Sequence, residues 1–166
     1  MSNKAVYALL FLILSLSNVQ AGERYFEDHT GDFDFSNTTP GQELGCLALN
    51  IYHEGRGETV KGQSAIAAVT MNRVESELYP DTICKVVWQL KQFSWTHIAS
   101  RHHGIDDPEA WSQALAIARA FIDGAKVAEV GNATHYHAEH VEPYWITQKR
   151  LIAKVGGHYF YVLSQS

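Results

Sequence analysis

Glu43-Leu-Gly-Cys-Leu-Ala-Leu-Asn-Ile-Tyr-His-Glu-Gly-Arg-Gly-Glu58 is the stretch from which the rest of the chain is best read. Leu44, Leu47, Ala48 and Ile51 recur at i, i+3, i+4 and i+7, the spacing of one helix face turned to a core. Glu54 stands three residues after Ile51, so the same face carries a carboxyl group inward at the end of the helix. Gly55 and Gly57 then loosen or end the helix. A carboxyl group stripped of water is harder to ionise, and its pKa rises. Such a group stays protonated near neutral pH and can hand its proton to a leaving oxygen. The two glycines remove side chains where a bulky ligand could approach the backbone. Arg56 between them could grip a carboxylate or a sugar-linked acid with both nitrogens. The plain alternative is a structural ion pair of Glu54 with Arg56 or Arg73.

Working outward, residues 61–76 read as a second helix with Ala65, Ile66, Val69 and Val74 inward. Tyr79-Pro80-Asp81 turns the chain, and Asp81 or Thr82 caps a third helix carrying Ile83, Val86, Val87 and Leu90. No period holds over residues 92–106, which read as a long loop of the kind that often carries function. Asp107-Pro108-Glu109 is a helix start with a cap, a proline at the first turn and an acid near the positive end of the dipole. That helix runs through Trp111, Leu115, Ala118 and Ile122 and stops at Gly124. Residues 133–141 and 158–163, rich in Tyr, Val, Phe and Thr, read as short strands. The expected class is α+β, mostly α, with a small β element.

The whole chain has 166 residues, 46% hydrophobic, 11% aromatic and 19% charged, which suits one domain and excludes disorder. A net charge of −5 argues against a sequence-independent grip on nucleic acid. Lys4 and the apolar run Ala5 to Leu16, followed by Ser17-Asn-Val-Gln-Ala21, read as a secretory leader cut after Ala21. An uncleaved membrane anchor is the alternative, although the run is short of the ~20 apolar residues that span a bilayer. Loss of 1–21 would remove one base and no acid. Residues 22–42 form a polar connector without a period. Cys46 and Cys84 are the two cysteines, and in an oxidising compartment they pair most simply as one disulfide. A nucleophilic cysteine would need a base nearby, of which the sequence gives no sign.

Leu49-Asn-Ile-Tyr-His-Glu-Gly-Arg-Gly-Glu58 resembles the E-A-R-G-E signature of the SleB-type cell wall hydrolases. Gln63-Ser-Ala-Ile-Ala-Ala-Val69 with Asn72-Arg-Val74, Gln92-Phe-Ser-Trp95, Ala133-Thr-His-Tyr-His137 and Gly156-Gly-His-Tyr-Phe160 resemble the later blocks, in order. The resemblance implies a lysozyme-like, lytic-transglycosylase-like catalytic domain over 43–166 that acts on peptidoglycan glycan strands. In that family the first Glu of the signature is the catalytic acid/base, and it falls on Glu54. It would protonate the oxygen between N-acetylmuramic acid and N-acetylglucosamine, then deprotonate the muramyl C6 hydroxyl to close a 1,6-anhydro ring. Gly55 replaces the usual Ala, a change expected to loosen the helix end. The block that precedes position 43 holds no recognisable peptidoglycan-binding module. An exported, monomeric enzyme without cofactor or metal is the expectation, located in the periplasm or the cell-wall space. A non-catalytic cell-wall-binding module is the competing class.

Glu58 has two readings. As a second carboxylate on a continued helix it would lie near Glu54, at a spacing that suits a glycosidase. Otherwise it holds Arg56 or a backbone amide and orients the loop. A metal site is the rival for the histidines. His135, His137, His140, Glu139 and Glu142 are dense, but His53-Glu54 lacks the second His that a zinc-protease helix needs at position 57. Phe93, Trp95 and Tyr136 offer flat faces for pyranose rings, with Gln92, Ser94, His135 and His137 as hydrogen-bonding or stacking neighbours. Trp88, Trp111 and Trp145 are assigned to packing.

Overall fold

The computed structural model describes residues 35–97 and 105–163. The leader at 1–21, most of the connector, and Arg101, His102 and His103 of the long loop lie outside those residues. Four helices, α1 (Pro40–Glu54), α2 (Val60–Val74), α3 (Ile83–Val87) and α4 (Pro108–Ile122), precede three strands, β1 (His135–Ala138), β2 (Lys149–Val155) and β3 (His158–Leu163). Short 3₁₀ turns occur at Ser94–His97, Ala128–Val130 and Ile146–Gln148. The architecture is α+β and mostly helical, as expected.

α1 begins within the segment read as connector. Thr39 accepts a hydrogen bond from the Gln42 amide, Gln42 accepts one from the Thr39 amide, and Pro40 opens the first turn. The helix is buried on every side from Leu44 to Tyr52, so it is the central element of the core and not an amphipathic surface helix. It packs against α2, α3 and α4. Cys46 and Cys84 are joined in a disulfide, tying α1 to α3 with Cα atoms 5.2 Å apart. Glu43 supports the same junction by accepting the Cys84 amide at 3.1 Å.

α3 is shorter than the pattern suggested. It ends at Val87, and Leu90, 73% exposed, lies past it, where Lys91 turns the chain with a positive φ of 64°. In α4 the buried positions are Trp111, Ala114, Ile117, Ala118 and Phe121, so the inner face is rotated away from Leu115 and Ile122. Asp107 caps that helix by accepting the Ala110 amide at 3.0 Å, as its sequence indicated.

The sheet is antiparallel with order β1-β3-β2. β1 is confined to four residues of the nine expected to be extended, in register Tyr136↔Phe160 and Ala138↔His158. β2 was not foreseen. Its residues Lys149-Arg-Leu-Ile-Ala-Lys-Val155 lack clean alternation, because this edge strand carries an irregularity between Leu151 and Ala153. A Gly156-Gly157 turn, with φ +58° at Gly156, joins β2 to β3. α2 holds the sheet in place: Asn72 Nδ2 donates to the carbonyls of Gly131 (2.9 Å) and Ala133 (2.8 Å), and Arg73 Nε to that of Thr134 (2.8 Å). The end of α1 thereby faces the start of the sheet.

Candidate active site

Glu54 is the last residue of α1. The Gly55 amide completes the helix by donating to Ile51 O at 2.8 Å, and Gly57 reverses the chain at φ +81°. Gly55 is buried, and a Cβ there would stand 2.9 Å from Gln63 Cγ, so the missing methyl makes room for α2. Gln63 in turn donates to Gly55 O at 3.2 Å and accepts from Gln113 Nε2 at 2.8 Å, linking the α1 terminus to α2 and α4.

The carboxyl group of Glu54 is partly buried, and burial raises its pKa above the usual carboxylate range. Two weaker influences act the other way: a hydrogen bond from the Tyr136 hydroxyl to Oε2 at 3.3 Å, and the positive field of Arg73. Burial also lifts the Tyr136 phenol far above its ordinary range, so that hydroxyl is a donor at every working pH. Neither arginine pairs directly with Glu54. Arg56 bonds Asp106 (2.8 Å) and the Tyr52 hydroxyl (3.2 Å) on the outer rim, and Arg73 bonds Thr134 O between the rings of Tyr79 and Phe93.

A groove of about 500 Å³ opens beside Glu54. Arg56 and Glu58 line it on the α1 side, Ala138, Glu139 and His140 where β1 ends, and Gly157 and His158 where β3 begins. That volume lies in the range of ligand-binding clefts. Glu58 meets the backbone-amide expectation: both its oxygens accept from the Gly157 amide, at 3.1 and 3.2 Å. His158 Nδ1 lies 3.2 Å from Glu58 Oε1. Burial nevertheless pushes the His158 imidazole pKa down, outweighing the carboxylate beside it.

Of the expected sugar-facing residues, Tyr136 alone reaches Glu54. Strand alternation turns His135 and His137 to the opposite face of the sheet, under Trp145. His137 has both ring nitrogens engaged, with Ala138 O and the Tyr161 hydroxyl, each at 2.9 Å. His135 is pushed down to about 4 by burial and by the charges of Lys149 and Arg73. Phe93 and Trp95 are core residues, 3% and 2% exposed, which corrects the reading of them as stacking platforms. The 3₁₀ turn at Ser94–His97 folds Trp95 back onto His53, ring centroids 4.5 Å apart, and Phe93 lies against Arg73. Gln92 is half-buried and Ser94 exposed, and neither lines the groove among its described residues. No group of three or more His, Cys, Asp or Glu is arranged to hold a metal among the described residues.

Glu139, His140, Gly157 and His158 were not singled out as groove residues. The paired glycines ahead of the last strand were the available signal, since a turn without side chains lets another element's carboxylate approach.

Comparison with known proteins gives a consistent picture. The family model described as Cell Wall Hydrolase matches residues 57–161, beginning three residues after Glu54. A spore cortex-lytic enzyme of Oceanobacillus iheyensis is 29% identical over 150 residues, 87% of this chain and 51% of that protein. One from Bacillus cereus is 32% identical over 119 residues, 71% of this chain and 43% of that protein. The chain thus spans about half the length of these relatives or less. Two solved structures share the fold with a TM-score of 0.60 at 29% identity. The catalytic domain of the germination-specific lytic transglycosylase SleB from Bacillus anthracis is matched over 78% of this chain and 100% of its own. For the catalytic domain of Bacillus cereus SleB the shares are 80% and 98%.

Proposed function

This chain belongs to the cell wall hydrolase family, and on that premise we propose that it cuts the glycan strands of peptidoglycan, with Glu54 as acid and then base. The bond is the one between N-acetylmuramic acid and N-acetylglucosamine. The observation that carries this reading is a carboxyl group at the inner end of α1, open to a groove of about 500 Å³, whose pKa burial raises.

The sequence of events follows from that one group. Glu54 gives its proton to the glycosidic oxygen as the C1–O bond breaks, and the departing N-acetylglucosamine leaves as an alcohol. The carboxylate then takes the proton of the muramyl C6 hydroxyl while its oxygen bonds to C1, closing the 1,6-anhydro ring and restoring the acid. No water is consumed. A hydroxyl already on the same sugar competes well with water, because intramolecular attack avoids the entropy of bringing a second molecule in. Tyr136, held protonated, keeps one carboxyl oxygen in place in both states. The description of the Bacillus anthracis relative as a lytic transglycosylase supports this order of steps over hydrolysis.

Export through the leader at 1–21 would bring the domain to this polymer in the periplasm or cell-wall space, and the Cys46–Cys84 disulfide suits an oxidising compartment. With a net charge of −5 the protein gains little long-range attraction to an anionic polymer, so recognition rests on the groove.

Mass spectrometry of fragments released from purified sacculi tests the proposal. Anhydro ends are expected; reducing ends would mean hydrolysis, and binding without fragments would mean a cell-wall-binding module. Glu54→Gln should lower the rate by about 10³-fold or more, in line with the loss of a general acid. Retained turnover in that variant would reject the assignment. Loss of the parent's activity in chelator would revive the metal alternative.

A further inference from the structure

Two carboxyl groups reach the groove from the α1 end, yet their surroundings differ sharply. We infer that Glu58 is a positioning residue, not a second reacting carboxylate: it clamps the Gly156-Gly157 turn against α2 and so fixes the His158 wall of the groove. The inference rests on the Glu54 reading above and adds a role for its neighbour.

Both Glu58 oxygens accept from the Gly157 amide, at 3.1 and 3.2 Å, and Oε1 also lies 3.2 Å from His158 Nδ1. Three glycines make the space they occupy. A Cβ at Gly156 would stand 2.1 Å from Oε2, one at Gly62 2.6 Å from Oε2, and one at Gly157 2.7 Å from Oε1. Real Cβ atoms essentially never come within 3.0 Å of a neighbour, so a Cβ at any of the three would push the Glu58 carboxylate out of this position. Backbone contacts hold Glu58 itself: its amide donates to Gly55 O at 3.0 Å, and Thr59 caps α2 through the Gly62 amide at 3.2 Å.

The clamp joins segments 99 residues apart. His158 follows directly, and its ring meets that of Tyr136 edge-on at 5.5 Å; Tyr136 in turn donates to Glu54. A path of contacts therefore runs from Glu58 through the turn to the reacting acid. Attack by Glu58 on a sugar carbon would draw an oxygen away from the Gly157 amide, and a donor that loses its partner carries a desolvation cost.

The experiment compares Glu58→Gln, Glu58→Ala and Gly156→Ala in the full chain, using soluble uncrosslinked glycan strands as substrate and hydrogen exchange at the Gly157 amide as a second readout. Glu58→Gln keeps one acceptor oxygen and gives up the charge. It should raise KM by about threefold to tenfold with kcat within about threefold of the parent, and the Gly157 amide should stay protected. Glu58→Ala and Gly156→Ala should raise KM by more than about tenfold and expose that amide. A loss of about 10³-fold in kcat for Glu58→Gln, or rescue of Glu58→Ala by azide with a glycosyl azide product, would overturn the inference. So would unchanged exchange at Gly157 in Glu58→Ala. If Glu58→Ala fails to fold, the Gln and Gly156 variants decide the matter alone. Glu54→Gln, run in parallel, separates the two readings: retained turnover there removes the Glu54 assignment, while exchange at Gly157 still reports on the clamp.

Discussion

At Glu54 opposing effects meet on one carboxyl group. Burial favours the neutral acid, whereas the Tyr136 hydrogen bond and the Arg73 charge favour the carboxylate, and burial prevails. Arg73 is itself 5% exposed and has no carboxylate partner among the described residues; the Thr134 carbonyl and two ring faces hold it. In the proposed mechanism Glu54 must be protonated to act as acid, so its pKa would set the high-pH limb of the rate profile. Arg73→Met removes an influence that opposes burial, so that limb should move to higher pH. The maximum rate should fall as well, because the carboxylate formed after proton donation loses its counter-charge. Arg73→Lys keeps the charge and should leave the limb near the parent's. Rates of fragment release across pH check this, and an unmoved limb in the Met variant would reduce Arg73 to packing. Stability carries the same signature. The folded pKa of Glu54 lies above the unfolded one, so the native state holds a proton that the unfolded chain releases, and stability falls as pH rises through that window. Glu54→Gln escapes this loss and should melt above the parent at pH 7, with the gap closing below about pH 4, where Glu is protonated in both states.

Among the elements, α2 shows how a long-range contact overrides local preference. Replacing a glycine inside a helix by alanine ordinarily stabilises by up to roughly 0.5–1 kcal/mol, and by less in the first turn, where Gly62 stands. At Gly62 the new Cβ would meet Glu58 Oε2 at 2.6 Å, so Gly62→Ala should destabilise the parent. In a Glu58→Ala background the obstacle is gone, and the same change should become neutral or stabilising. Urea midpoints of the four proteins in this cycle test both signs. Elements with strong local signals were legible from sequence: α2 from its apolar spacing, α4 from its Asp107-Pro108-Glu109 start though its inner face is rotated from Leu115 and Ile122, and β3 from its Tyr-Phe-Tyr run. β2 was not, since an edge strand paired on one side tolerates Lys149, Arg150 and Lys154 without the alternation that marks a half-buried strand. α3 misled through Leu90, an apolar residue left on the surface after the helix has ended.

Across the whole molecule, the site was legible where one element sufficed and obscure where two had to meet. An inward carboxyl at position 54 could be read from the period of α1, and its acid/base role only from the resemblance of the surrounding signature. Its partner Tyr136 lies 82 residues away, and the far wall of the groove comes from the β2–β3 turn, whose approach no local pattern encodes. Trp95 was misjudged for the same reason: an aromatic side chain reads alike whether it faces solvent or is folded under a helix. The disulfide is the covalent counterpart of these long-range contacts. It closes a loop that contains all of α2, with a sequence separation of 38, and lies two helical turns from Glu54 along α1. In the chain-entropy description a loop of that size restricts the unfolded state by about 4 kcal/mol. Domains of this size have roughly 5–15 kcal/mol in all, so the bond accounts for a large share. Cys46→Ala with Cys84→Ala should therefore lower the urea midpoint steeply while kcat at 25 °C stays within about threefold, since the Glu54–Tyr136 contact and the Gly157 clamp do not depend on it. A midpoint equal to the parent's would mean that the helices around α1 already hold α3 in place without the bond. A collapse of kcat at full folding would mean that the position of Glu54 is set from the middle of its own helix, where Cys46 is tied to α3.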